Sequence, residues 1–99
     1  DAIVQFKDYV KHFPQEANSY DSLADGYTAK GDIESALPNY LKALSINPTF
    51  PSSLFGAARC YDSKGQTGYA IEYFKKFLAG TPKGNMAETA EKRLKELSQ

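Results

Sequence analysis

Asp21 and Asp25 stand four residues apart. On a helix that spacing puts two carboxylates on one face, where they could share a cation or divide the work of general acid and base. Such chemistry needs a convergent nucleophile, base or phosphate-cradling loop, and none accompanies the pair, so two solvated acids are the plainer reading. The chain has one cysteine and one histidine. Cys60 and His12 fall in different segments, too few and too scattered for a metal site or an activated thiol. A lone cysteine cannot close an internal disulfide, and beside Tyr61 it reads as a small apolar residue facing a core. Gly65-x-x-Gly68 lies in a break between apolar segments, where glycine serves the backbone. No catalytic, cofactor-binding or metal-ligating residue is expected, and the chain reads as non-enzymatic.

The elements that carry these residues are helices. Ile3, Phe6, Val10 and Phe13 follow steps of three and four, and so do Leu23, Ala24 and Tyr27. The same step runs through Ala36, Leu37, Tyr40, Leu41 and Leu44, then Leu54, Ala58 and Tyr61. It continues in Ala70, Ile71, Phe74, Phe77 and Leu78, and in Ala87, Ala90, Leu94 and Leu97. No segment keeps a period of two, so strands are not expected. Breaks fall at Pro14, Gly31-Asp32, Pro48 to Pro51, Gly65 to Gly68 and Gly80 to Gly84. Asp32, Thr67 and Asn85 are candidate N-caps, with Asn85-x-x-Glu88 in the capping-box pattern. Pro38 interrupts the third segment, where a proline beyond the first turn removes a hydrogen bond; its place near the start makes it tolerable.

The segments repeat. Tyr27, Gly31, Ala36, Tyr40 and Pro48 return as Tyr61, Gly65, Ala70, Phe74 and Pro82, always 34 residues later. Small residues at Ala24, Ala36, Ala58 and Ala70 leave room at helix crossings for the aromatic rings. Tyr20-x2-Leu23-Ala24-x2-Tyr27, Ala36-x3-Tyr40 and Pro48, with their second copy from Leu54 to Pro82, resemble the tetratricopeptide repeat. Both units lack that family's tryptophan and carry alanine where its glycine is commonest. The resemblance implies an all-α, right-handed superhelical stack of antiparallel helix pairs, about six helices in one domain. Residues 17–50 and 51–84 would be repeats, residues 1–14 the second helix of a truncated repeat, and residues 85–98 a polar-faced capping helix.

It also implies a groove lined by first helices. From the first unit this takes Asn18, Asp21, Asp25, Thr28 and Ala29; from the second, Ser52, Phe55, Arg59, Asp62 and Ser63. The expected function is a protein–protein interaction scaffold without cofactor. Its partner would be a basic or mixed-charge protein or peptide, because Asp21 and Asp25 would repel the free C-terminal carboxylate that chaperone-binding relatives clamp. Two alternatives stand beside it. Ile3, Phe6, Val10 and Phe13 could form an apolar stripe through which the fragment pairs as a homodimer. The closing run from Thr81 to Leu97 is similar to bacterial envelope-assembly members, and the repeats to tails on bacterial hydrolases, which would make the chain a docking module of a larger bacterial protein.

Composition bounds the rest. Twelve basic and 12 acidic residues give a formal net charge of zero, which argues against nucleic acid or an anionic membrane as partner. No apolar run is long enough for a bilayer, so membrane insertion is not expected, and the compartment stays open.

Overall fold

The computed structural model describes residues 2–99. They form six helices: α1 (Ala2–His12), α2 (Ala17–Ala29), α3 (Ile33–Ile46), α4 (Pro51–Ser63), α5 (Thr67–Ala79) and α6 (Asn85–Leu97). No strand occurs among the described residues. Each helix packs on the next in sequence, α2 also reaches α4, and the stack measures 42 × 24 × 22 Å. The all-α helix-pair architecture expected above is therefore the one observed.

The 34-residue period is visible in atomic detail at two turns. Between α2 and α3, Gly31 has φ +80°, its N–H bonds Thr28 O at 2.9 Å, and Asp32 N–H reaches back to Tyr27 O at 2.9 Å. Between α4 and α5, Gly65 has φ +75°, its N–H bonds Asp62 O at 3.0 Å, and Gln66 N–H reaches Tyr61 O at 2.9 Å. A left-handed residue followed by a bond back to the last helical turn closes a helix without orphaned carbonyls. Glycine stands at both positions because other residues strain there.

The core is built by rings laid over small residues. Tyr40, 2 % exposed, lies so close over Gly56 of α4 that a Cβ there would collide with its ring. One repeat earlier Phe6 does the same to Gly26 of α2, where a Cβ would stand 2.7 Å from Phe6 Cδ2 and 2.9 Å from Ile3 Cδ1. One repeat later Phe74 joins Ala90 of α6 in the core. The helix-interior glycines thus buy close approach of an aromatic side chain at the expense of helix propensity.

Local punctuation departs from expectation in several places. α1 ends at His12, leaving Phe13 and Pro14 outside it, and Asp1 lies outside the described residues. Asp32 does cap α3, accepting from Ser35 N–H at 3.2 Å. Thr67 and Asn85 do not cap: each is the first residue of its helix, with Gln66 and Gly84 before them and no side-chain cap bond. Gly84 at φ +88° makes the entry into α6, so a backbone conformation takes over what a capping box would have done. Pro38 is the sixth residue of α3, beyond the first turn, so the Glu34 carbonyl loses its helical donor while the helix continues to Ile46. Gly68 belongs to α5 rather than to the preceding break.

α6 is tied down by charge as well as by Ala87 and Ala90. Arg93 donates from Nε to Asp62 Oδ2 at 2.6 Å and from Nη2 to Asp62 Oδ1 at 2.9 Å, a two-pronged pair between α6 and α4.

Candidate functional site

Two consecutive first helices, α2 and α4, meet over Tyr40, and the space between them is the most built feature of the surface. A cavity of about 400 Å³ is walled by Asp25 and Thr28 from α2, Ser52, Phe55, Arg59 and Ser63 from α4, and Met86 from α6, with Ile33, Tyr40, Gly56 and Cys60 beneath. A second, more apolar hollow of about 400 Å³ lies between α1 and α2, lined by Ile3, Phe6, Gly26 and Ala29. Asp25 borders both.

The groove residues expected from sequence divide in two. Asp25, Thr28, Ser52, Phe55 and Arg59 come together around the first cavity, with Ser63. Asn18, Asp21 and Asp62 do not. Asn18 donates to the Tyr9 hydroxyl at 3.1 Å, back toward α1. Asp62 is held by Arg93. Asp21, expected at a solvated acidic end, is 5 % exposed and accepts from Ser52 Oγ at 2.9 Å and Ser53 Oγ at 2.7 Å. Those serines are in the first turn of α4, whose N-cap Phe50 supplies no side-chain bond. The carboxylate therefore serves as an N-terminal anion donated by the neighbouring helix.

Phe55 likewise sits deeper than a free-standing anchor. It is 7 % exposed, 5.2 Å from the Phe77 ring centroid and 6.2 Å from that of Phe74. It floors the cavity, and the Arg59 guanidinium lies 5.6 Å above its centroid, a cation–π placement that steadies the charge at the rim. The sequence reading missed Met86, which is 40 % exposed. It missed Tyr40 as a site residue too, although the 34-residue beat marks it.

Tyr40 connects floor and rim. Its hydroxyl donates to Asp25 Oδ1 at 2.5 Å and lies 3.1 Å from Thr28 Oγ1, while Thr28 donates to Ala24 O at 3.0 Å. Burial pushes the Asp25 carboxyl above the usual 3.8, the Tyr40 hydrogen bond pulls it partly back, and the charge of Asp21 pushes it up again. With the folded value above the unfolded one, its stabilising share is fully present below about pH 3.8 and is lost as pH rises through the folded value. Asp25→Asn keeps an acceptor for Tyr40, so it is expected to match or exceed the parent in stability at neutral pH. Urea unfolding against pH should show that advantage vanishing in acid.

Cys60 is 1 % exposed, and burial raises its thiol to about 11. It is expected to resist thiol reagents at pH 8 in the native state and to react once denaturant is added, which a labelling time course would read. Among the described residues no group of three or more His, Cys, Asp or Glu could hold a metal ion.

Stacked helix hairpins whose first helices share a cavity define a helical-repeat protein. Models described as tetratricopeptide repeat match residues 17–50 and 39–72, together residues 17–72, and the chain belongs to the tetratricopeptide repeat family. It is also similar to Superkiller complex protein 3 of the mouse, Mus musculus, with 26 % identity over 74 residues. That match takes in 75 % of this chain and 5 % of the mouse protein, so the chain spans a small part of its relative's length. Repeats of this family generally mediate protein–protein interaction, and its members are typically non-enzymatic scaffolds. Among the described residues no helix is long and apolar enough to cross a membrane.

Proposed function

We propose that this chain is a non-catalytic scaffold that holds an extended segment of a partner protein in the cavity between α2 and α4. The observation that carries the reading is the convergence of Asp25, Thr28, Ser52, Phe55 and Arg59 on one space of about 400 Å³. In this reading residues 17–50 and 51–84 are two repeats, α1 is the second helix of a preceding one, and residues 85–98 are a cap. The partner segment is mixed in charge. An apolar side chain enters over Phe55 and Met86, an acid or carbonyl meets Arg59, and a donor meets Asp25. A free C-terminal carboxylate is disfavoured next to Asp25. The mouse relative's name places it in a complex, which supports a role in assembly.

Self-association through α1 has less support, since Ile3 is 7 % exposed and Phe6 packs on Gly26. Of the expected stripe, Phe13 stands out at 48 % exposed.

The test is a titration of the isotope-labelled chain with short leucine-centred peptides of basic, mixed and acidic charge, followed by amide shifts. Saturable shifts at Thr28, Gly56 and Ser63 with the mixed peptide, weakened by Arg59→Glu, are expected. Shifts elsewhere, or affinities blind to Arg59→Glu, would remove the reading. Asp21 is left intact because its loss would read folding.

A further inference from the structure

Away from this cavity, three tyrosines gather where α4 ends and α5 begins. The ring of Tyr61 stacks on Tyr69 with centroids 5.0 Å apart and planes 24° apart, and meets Tyr73 at 5.4 Å and 31°. The repeat accounts for Tyr61, whose counterpart is Tyr27, but not for the other two. At the positions 34 residues before Tyr69 and Tyr73 the first unit has Ser35 and Asn39, joined by an Asn39 Nδ2 to Ser35 O bond of 2.9 Å. A helix of this stack therefore forms without aromatic residues there. Tyr69 is nonetheless 55 % exposed, a costly place for a ring that packing does not require.

The chemistry around the cluster is rich in donors. Among the described residues none of the three phenol hydroxyls makes a hydrogen bond within the chain. Gln66 caps α5 without a side-chain bond, so the first N–H groups of that helix stay open beside the rings. Gln66, Thr67, Gly68, Tyr69 and Glu72 surround a shallow hollow of about 450 Å³. A ligand matched to this surface offers carbonyl acceptors, flat apolar faces for the rings and few N–H donors of its own. Proline-rich chain in the polyproline II conformation has that composition: its backbone carbonyls are unpaired, proline lacks an N–H, and little ordering entropy is lost on binding. Glu72 at the rim, half exposed and carrying Lys76 at 3.2 Å, adds an acid that suits a basic residue within such a segment.

We propose that the Tyr61, Tyr69 and Tyr73 cluster is a second docking surface, separate from the α2–α4 cavity, for a proline-rich segment carrying a basic residue. Aromatic ridges are the general means of gripping this conformation.

The probe is a blocked proline-rich peptide with one arginine, set beside the same peptide with every proline changed to alanine. The readout is the ring signals of Tyr61, Tyr69 and Tyr73. Saturable shifts with the proline peptide alone are expected, with affinity about tenfold lower in Tyr69→Ser. That variant installs the first unit's own residue, and its thermal unfolding should match the parent's. Tyr69→Phe keeps the stack, and a partial loss there would assign the hydroxyl a share. The proposal is overturned if the proline peptide causes no saturable shift or if the alanine peptide shifts the rings equally. It is also overturned if light scattering finds a dimer that Tyr69→Ser abolishes, because a second copy would then be the occupant.

Discussion

Gly56→Ala is expected to destabilise the fold by about 1–2 kcal/mol, although alanine is the better helix former. Propensity alone favours the change by roughly 1 kcal/mol in a helix interior. The added methyl, however, would occupy the space of the Tyr40 ring, which is 2 % exposed and hydrogen-bonded to Asp25 at its far end. A ring anchored at both ends cannot swing away, and overpacking a tight site typically costs about 1–3 kcal/mol on its own. Gly26→Ala should cost less, since Phe6 is only half-buried and can shift. Gly68→Ala, with nothing within 4 Å of the new carbon, should be neutral or slightly stabilising. Thermal unfolding separates the three, because about 1 kcal/mol moves the midpoint by roughly 4–8 °C in a domain of this size. An unchanged midpoint for Gly56→Ala would mean that the ring packs elsewhere.

Asp21→Ala should be the most damaging polar substitution, at about 2–4 kcal/mol. Both carboxylate oxygens receive serine hydroxyls, and Ser53 is fully buried, so truncation leaves a desolvated donor without an acceptor at the start of α4. Bonds to a charged acceptor are stronger than neutral ones, and the orphaned hydroxyl adds its own cost. Removing Ser53 as well should recover part of the loss. The double-mutant cycle in urea therefore distinguishes a coupled pair from two independent effects. Additive losses would show that Asp21 acts through the α4 terminus rather than through Ser53.

Much of the architecture was readable before any coordinates, because the features that set it are local or periodic. Gly31 and Gly65 end helices through backbone conformations that the residue type announces. Tyr40 and Phe74 fill spaces whose small partners recur at a constant interval. What escaped reading depends on partners far along the chain. Asp21 looked solvated because nothing near it in sequence satisfies it; its serines come 31 and 32 residues later. Asp62 looked available for the same reason, with Arg93 lying 31 residues on. Phe55 occupies a groove position in the motif, yet the aromatic residues of α5 draw it inward. Helix starts failed differently: at Gly84 the backbone itself makes the turn, so the asparagine beside it was an empty signal.

The overlay of each ring on the following helix has a consequence for the order in which the molecule comes apart. Phe6 meets Gly26 and Tyr40 meets Gly56, so each helix pair is latched to its successor, while α1 rests chiefly on α2 and α6 chiefly on α5. Opening at either end breaks one latch, whereas opening α3 or α4 breaks two. Amide hydrogen exchange should therefore run as a gradient, fastest in α1 and α6 and slowest in α3 and α4, with the protected centre lying directly beneath the cavity.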